Sequence, residues 1–213
     1  MRRLSLTAVA VVLLLPAVSR AGEADAGSWM SLSLQHKFSP RLNVTLRGEW
    51  ETCDMFSRIG TWYVRAIGRY KVLPWLSAEL TADSFNTYIR ADDAFRHSFR
   101  IHTGALASWE KGQFKFTLLE REYFYIVADR AISYRTFLLS HARIAWNIPK
   151  SRFSLYMAGY WFNRPELFQR RLSAGVSCRV TDSVGLSLYY LNKLSPLSGE
   201  ITNIAGLSCS VKL

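Results

Sequence analysis

The sequence alternates apolar and polar side chains over successive segments of about ten residues, a pattern typical of strands that face two different environments. In one segment Leu42, Leu46 and Trp50 share one face, while Arg47 and Glu49 occupy the other. Because successive side chains of a β-strand point to opposite faces, each segment predicts a strand with one apolar and one charged face. The pattern continues to the C-terminus, so we predict an all-β chain.

The N-terminal residues have the composition of a secretory signal. Two arginines precede an apolar stretch over residues 4–15, which is too short to span a bilayer as a helix. Small residues predict cleavage after Ala21, with Ala26 as the second choice. We therefore expect a signal peptide over residues 1–21 and one exported domain over residues 22–213.

The charge of the exported domain argues against nucleic acid as a partner. Removing the signal takes away three arginines and no acid, so 24 basic and 16 acidic residues leave a net charge of +8. The basic residues are dispersed singly along the predicted strands, and no basic run with interleaved aromatic residues forms a groove-binding patch. We expect no binding of nucleic acid.

The three cysteines indicate neither a metal site nor a disulfide. Cys53, Cys178 and Cys209 are odd in number, and their spacing matches no metal motif. Cys178 and Cys209 fall on strands separated by a third strand, about 10 Å apart and too far for a disulfide. We interpret them as small apolar wall residues and predict no metal and no cofactor.

Short polar breaks and longer connections alternate along the chain, as in an up-and-down barrel. The pattern predicts an antiparallel transmembrane β-barrel of about 10–12 strands, with short periplasmic turns and longer extracellular loops. The predicted turns lie near residues 39–41, 73–75, 110–112, 149–151 and 181–183, and the predicted loops near residues 53–59, 85–97, 127–133, 163–169 and 193–200.

Two segments depart from this regular pattern. About eleven strands can be counted, whereas single-chain bacterial barrels usually have an even number. Either a short strand escapes the pattern or one segment lies outside the wall, and residues 28–38 are the first candidate. In the segment 114–126, apolar residues run into Glu120 and Glu122, so we expect a bulge near Leu118 and Leu119 that restores the phase.

The tryptophans lie at the ends of the predicted strands, in two groups. Indole rings favour the membrane–water interface, and membrane barrels carry aromatic girdles at both rims. We expect a girdle of Trp29, Trp50, Trp62 and Trp161 at the loop ends and Trp75, Trp109 and Trp146 at the turn ends. The alternative is that these residues pack near turns in a soluble sandwich.

Several short motifs resemble a known family. They are the opening residues 25–29, the strand end and turn over residues 36–42, the acidic strand 49–51 and the segment 68–76. Together they resemble the domain of unknown function 2490 family of predicted outer-membrane β-barrels. The resemblance implies an outer-membrane barrel but no activity, and hence no site residues.

The last strand, with Ala205, Leu207 and Cys209 on one face, resembles the C-terminal assembly signal of outer-membrane barrels. That resemblance implies contact with the barrel-assembly machinery during insertion. We expect the protein to reside in the bacterial outer membrane as a monomer, with membrane lipid and possible small solutes as its other partners.

The charged face of the strands provides the candidate interior. Buried charges in a narrow barrel must pair, and arginine–carboxylate forks do this well. We expect a structural network that fills the lumen, and an arginine-biased pore for small solutes is the alternative. The residues assigned to this network are Arg47, Glu49, Glu51, Arg65, Arg69, Lys71, Glu79, Arg100, His102, His141, Arg143, Arg171 and Arg179.

Two other function classes remain open from the sequence. A lipid A-modifying barrel enzyme needs a nucleophile within reach of its base, but His97 with Ser98 and His141 with Ser140 are strand neighbours that point to opposite faces. We therefore assign no catalytic residue and expect no enzyme. A soluble exported barrel that binds a ligand would instead turn the apolar face inward and the arginine face outward.

Overall fold

The computed structural model describes residues 25–53, 56–89, 92–127, 133–163, 169–194 and 201–213. Within these ranges the backbone forms eleven strands that hydrogen-bond to one another in chain order and close into a barrel. The predicted all-β barrel of about 10–12 strands is thereby confirmed. The strands are β1 (Asp25–Lys37), β2 (Leu42–Cys53), β3 (Arg58–Leu73), β4 (Leu76–Ile89), β5 (Ala94–Lys111), β6 (Phe114–Val127), β7 (Ser133–Asn147), β8 (Phe153–Asn163), β9 (Gln169–Arg179), β10 (Val184–Leu194) and β11 (Ile201–Lys212).

The alternation of the sequence becomes an inward and an outward face. On β3, Tyr63, Arg65 and Ile67 are buried inside the barrel, whereas Val64 and Ala66 between them are exposed on the outside, as is the preceding Trp62. Other strands repeat this arrangement, so the outer surface is dominated by large apolar side chains and the interior contains most of the buried charge. The polarity of the molecule is the reverse of that of a soluble barrel.

The barrel closes through a parallel pair of strands. The first strand pairs with the last one from Asp25 opposite Thr202 to Gln35 opposite Lys212, and the amide of Leu213 donates to the carbonyl of Gln35 at 2.8 Å. Because successive strands alternate in direction, an odd number leaves the first and last strands running the same way. The expectation that residues 28–38 lie outside the wall, or that a strand was missed, is therefore wrong.

Strand β6 keeps its phase from end to end. It pairs with β5 and β7 without a shift in register between Phe114 and Val127. The predicted bulge near Leu118 and Leu119 is therefore wrong, and the irregularity of the sequence has another cause. Glu120 and Glu122 occupy outward positions, so two carboxylates interrupt an otherwise apolar face.

The connection predicted for residues 85–97 is shorter than expected. Strand β4 continues to Ile89 and β5 begins at Ala94, and the two strands stay paired up to those residues. The rings of Tyr88 and Phe95 lie 5.6 Å apart across this pair. The alternating pattern therefore extends through most of the segment 85–97 that was predicted to be a loop.

Cys178 and Cys209 are both free thiols, and Leu186 of the intervening strand stands in register between them. Their predicted separation on β9 and β11 is thus confirmed. The side chain of Cys53 and the predicted signal peptide lie outside the described residues. Among the segments described, none forms a helix of the length and apolarity needed to cross a membrane.

Candidate functional site in the barrel interior

The densest group of inward charges surrounds Asp83 of β4. Its carboxylate accepts hydrogen bonds from Arg65 of β3 at 3.0 and 3.1 Å, and from Arg100 of β5 at 2.6 and 2.9 Å. His102 Nε2 lies 3.2 Å from the same carboxylate. The strand register places Arg65, Asp83 and Arg100 side by side. Because the carboxylate is buried, the two guanidinium groups are needed to compensate its charge.

Aromatic rings enclose this group of charges. The guanidinium carbon of Arg100 lies 3.8 Å from the centre of the Phe85 ring, and that of Arg65 lies 4.8 Å from the Tyr63 ring. A ring face is electronegative and attracts a desolvated cation. The rings therefore hold the two arginines in place while excluding water from their carboxylate partner.

A second group is centred on Glu79, which lies on β4 two inward positions before Asp83. Glu79 pairs with Arg69 Nε at 2.7 Å and with Arg121 Nε at 2.5 Å. Arg121 belongs to β6 and reaches across β5, where Gly104 stands in register between the two partners. A Cβ at position 104 would lie 3.0 Å from Arg121 Cγ, so the glycine keeps this path open.

The third group joins β1 to the charged strands. Glu49 accepts a hydrogen bond from the Trp29 indole at 2.8 Å and another from the Tyr63 hydroxyl, and it pairs with Arg47 at 2.6 Å. Trp29 therefore lies inside the barrel and not in the predicted girdle. An indole N–H that donates to a buried acceptor no longer needs water, so the ring loses its preference for the membrane–water interface.

The two inward histidines lie among aromatic rings. The ring centres of His102 and Tyr123 are 3.7 Å apart, and Tyr123 stacks on Phe137 at 4.3 Å. His141 stacks on Tyr160 at 4.1 Å. Both histidines thus pack on aromatic rings of the interior, and His102 in addition approaches the Asp83 carboxylate.

Strands β8 to β11 fill their side of the interior differently. Tyr156, Gly175, Tyr189, Gly206 and Trp29 stand in register on five successive strands, so rings alternate with glycines. A Cβ at position 175 would lie 2.9 Å from Tyr156 Cζ and 2.7 Å from Tyr189 Cβ. The rings lie over the glycine backbone and occupy the volume that side chains would otherwise take.

A row of serines runs beside the rings. Ser154, Ser177, Ser187, Ser208 and Ser31 occupy neighbouring inward positions on β8, β9, β10, β11 and β1. The hydroxyls of Ser177 and Ser187 are 2.8 Å apart, and those of Ser31 and Ser208 are 2.6 Å apart. Short hydroxyl side chains satisfy one another across the strands and leave space in the lumen. We call the inward face of β1 and β8–β11 the glycine–serine wall, and that of β2–β6 the charged wall.

This space opens at the turn rim as a cavity of about 470 Å³, which we call the basic vestibule. Strands β7–β11 contain no Asp or Glu. The one acidic residue of the lining is Asp182, in a turn. The lining side chains with a positive charge or a hydroxyl are Arg143, Arg152, Arg179, Lys212, Ser151, Ser154, Ser177, Thr181, Ser183, Ser187 and Ser210. Its electrostatic character suits a small anion.

The adjacent serine–histidine pairs do not assemble into a catalytic group. Ser140 faces outward and donates to Glu120 at 2.8 Å, whereas His141 faces inward. His97 Nδ1 lies 3.0 Å from Asn86 Oδ1, while Ser98 is buried on the other face. In the part of the chain that the structure describes, no three His, Cys, Asp or Glu residues group as metal ligands.

The predicted interior residues lie at inward positions of their strands, and the predicted girdle residues other than Trp29 are exposed outside. Glu51 pairs across the lumen with Lys193 at 3.0 Å, and the Arg171 guanidinium lies 5.2 Å from the Trp29 ring. The interior positions are Arg47, Glu49, Glu51, Arg65, Arg69, Lys71, Glu79, Arg100, His102, His141, Arg143, Arg171 and Arg179. The exposed tryptophans are Trp50, Trp62, Trp75, Trp109, Trp146 and Trp161.

Two central residues of the interior were missed from the sequence. Asp83 lies four residues after Glu79, so the period of two alone places both on one face. Arg121 was not included among the interior residues, because the bulge expected near Leu118 and Leu119 interrupted the strict alternation of β6. A strict alternation through Glu120 and Glu122 identifies it as an inward residue.

Comparison with protein families gives one match over most of the chain. A family model described as "Protein of unknown function (DUF2490)" matches residues 26–203. The matched region contains β2–β10 and nearly all of β1, and therefore all three ion-pair groups. No curated protein matches the chain.

Proposed function

The chain belongs to the DUF2490 family, and we propose that it is a non-catalytic outer-membrane β-barrel, structural or permeable only to small solutes. The observation that supports this most is the reversed polarity of a closed barrel. Large apolar residues such as Leu46, Leu80 and Met157 are exposed outside, at 50%, 60% and 64%, while the carboxylates of Glu79 and Asp83 are buried inside. Lipid covers such an outer face, and water does not.

The ends of the barrel support the same placement. Six exposed tryptophans lie near the strand ends, where indole rings prefer the boundary between lipid and water. Trp109 stacks on Phe116 at 5.5 Å near the turn rim, and Trp50 stands opposite Trp62 near the loop rim. We propose that these rings mark the two interfaces of the outer membrane, with the turn rim in the periplasm.

The charged wall supports a lumen that is largely filled. Arg121 spans β5 to reach Glu79, and the Asp83 group lies beside it, so ion pairs occupy the centre of this half. A general porin would need a continuous water-filled channel, and side chains fill the interior of small barrels instead. We therefore favour a structural role for the barrel.

The basic vestibule favours a second, narrower function. Its excess of cations and its hydroxyl groups would attract a small anion from the turn rim. If a path continues past the serine row, the barrel would conduct anions in preference to cations.

Location is tested by expressing the full chain in a Gram-negative host. We expect the protein to sediment with the outer membrane and to migrate differently on gels before and after boiling, because a folded barrel resists detergent. A mature chain that folds and stays fully soluble without detergent would contradict the membrane proposal and favour the soluble alternative.

Permeability is tested in planar bilayers with a double variant, Glu79→Ala with Arg121→Ala. Removing both partners deletes side chains that fill the lumen, and the Arg69 guanidinium that loses Glu79 is already 34% exposed to water, so we expect a conductance several times that of the wild type. The matched control is Glu110→Ala with Lys115→Ala, an exposed pair 3.4 Å apart near the turn rim, which should change nothing. A porin-sized conductance of the wild type would contradict a filled lumen.

A further inference from the structure

The outer face of β6 contains two carboxylates near the middle of an apolar wall. Glu122 is exposed, and none of the hydrogen bonds or ion pairs of the described residues involves it. Glu120 accepts one hydrogen bond from Ser140 of β7. Their neighbours along the same face, Leu118 and Phe124, are exposed at 48% and 41%. Contacts within the barrel therefore compensate little of the charge of these two carboxylates.

Charged groups at this height demand a partner if the wall faces lipid. An ionisable side chain inside the hydrocarbon region is unfavourable, and where one occurs it marks a contact or a functional path. This step rests on the proposed membrane location. A partner that offers a cation at the same height would neutralise Glu122 and remove that penalty.

The same wall supplies such a cation three strands away. Arg170 of β9 faces outward and is exposed. Glu122 lies eight residues after Phe114, the turn end of β6, and Arg170 lies nine residues before Arg179, the turn end of β9. The two groups are thus at nearly the same height, but three strand spacings separate them by about 14 Å, too far for a pair within one barrel.

We propose that two copies of this chain associate through β6–β9, with reciprocal ion pairs between Glu122 of one copy and Arg170 of the other. A two-fold axis parallel to the barrel axis and midway between β7 and β8 places β6 of each copy against β9 of its partner. Such an axis preserves height, so each carboxylate meets a guanidinium. Two-fold interfaces of this kind are the commonest in homo-oligomers.

The outer surface between β6 and β9 has a shape that allows a second copy of the barrel to approach closely. The small residues Ala142 and Ala174 line an apolar depression of about 640 Å³ on the outer wall, where the Trp161 ring lies over Gly159. Met157 of β8, at its edge, is exposed at 64%. Under the same two-fold axis β8 of one copy faces β7 of the other, which brings Met157 over the partner's depression near Ala142. Apolar packing would then surround the two ion pairs.

The test reverses each charge alone and then both together. Four proteins are purified in mild detergent, and their masses are measured by analytical ultracentrifugation. They are the wild type, Glu122→Arg, Arg170→Glu and the double variant. The same proteins are reconstituted in liposomes, and energy transfer is measured between copies labelled at Asp182→Cys in a background without Cys53, Cys178 and Cys209. We expect a dimer for the wild type, mainly monomer for each single variant, and a dimer again for the double variant.

Two control variants separate the interface from general effects on the wall. Leu46→Arg adds an arginine to the outward face of β2, away from β6–β9, and should leave the dimer intact. Met157→Trp enlarges the residue predicted to enter the depression, and it should weaken the dimer without any change of charge.

The outcomes distinguish this proposal from the membrane proposal. A wild type that is monomeric in liposomes but still heat-modifiable overturns the dimer and leaves the membrane barrel standing. A dimer that survives both single reversals, or single losses that the double variant does not restore, overturns this interface. A folded mature chain that needs no detergent overturns the membrane proposal on which the argument rests.

Discussion

The two halves of the barrel interior are filled by different kinds of side chain. The charged wall fills its half with Arg65, Arg69 and Arg100 on the carboxylates of Glu79 and Asp83. The glycine–serine wall fills the other half with rings over glycines and with hydroxyls that bond one another. The first half depends on compensation of buried charge, and the second depends on fitted volume.

This difference follows from how the chain distributes its charges. The acids of the interior belong to β2 and β4, and no Asp or Glu occurs in β7–β11. Cations in the second half therefore outnumber the acids there, and four of them, Arg143, Arg152, Arg179 and Lys212, line the basic vestibule. A barrel with compensated charge on one side and an excess of cations at the turn rim of the other can be both rigid and anion-attracting. The following variants address each half separately.

The largest effect is expected for Asp83→Ala. The change leaves Arg65 and Arg100 buried without their shared carboxylate, and breaking a buried pair from one side costs about 3–5 kcal/mol. The free energy of unfolding is measured by urea titration in lipid or detergent, followed by tryptophan fluorescence. Asp182→Asn, in a turn, is the control and should stay within about 0.5 kcal/mol. A loss below about 1 kcal/mol for Asp83→Ala would show that water enters the group and that the charged wall is not dry.

The glycine–serine wall should respond to volume instead. Gly206→Val introduces atoms where the Tyr189 ring lies, and overpacking costs about 1–3 kcal/mol. Gly48→Val is the matched control, because nothing lies within 4 Å of a Cβ added at that outward position. Comparable losses of unfolding free energy in the two variants would mean that the Tyr189 ring moves away from the added side chain at little cost. The same urea titration separates these outcomes.

The sequence predicts the walls better than it predicts their contacts. The period of two assigns inward positions through most strands, and it reaches Glu79 and Arg100 because backbone geometry alone sets the faces. It does not reveal that Arg121 meets Glu79 across Gly104, since that contact depends on which strands are neighbours and on a missing side chain. Trp29 was misplaced for the same reason, because its acceptor Glu49 belongs to another strand. Local alternation is visible in the sequence, and partners across strands are not.

A smaller effect is expected within the serine row. Ser177→Ala removes one partner of a hydroxyl pair 2.8 Å long, and a hydrogen bond between neutral groups contributes about 1 kcal/mol. The double variant with Ser187→Ala should lose little more, because both polar groups are then gone. A double variant that is clearly less stable than the single one would indicate that each serine has a further partner.

The smallest effect is expected for the pair that joins the two walls. Lys193 of β10 and Glu51 of β2 are 142 residues apart in sequence and meet at 3.0 Å, with side chains 24% and 14% exposed. Because water reaches both groups, Lys193→Met should cost about 0.2–1 kcal/mol. Salt screens a partly exposed pair, so the difference between wild type and variant should shrink between about 0.1 and 1 M NaCl, where the Debye length falls from about 10 to 3 Å. A difference that persists in high salt would mean that the lysine stem, packed against the lumen, stabilises the contact between the walls more than its charge does.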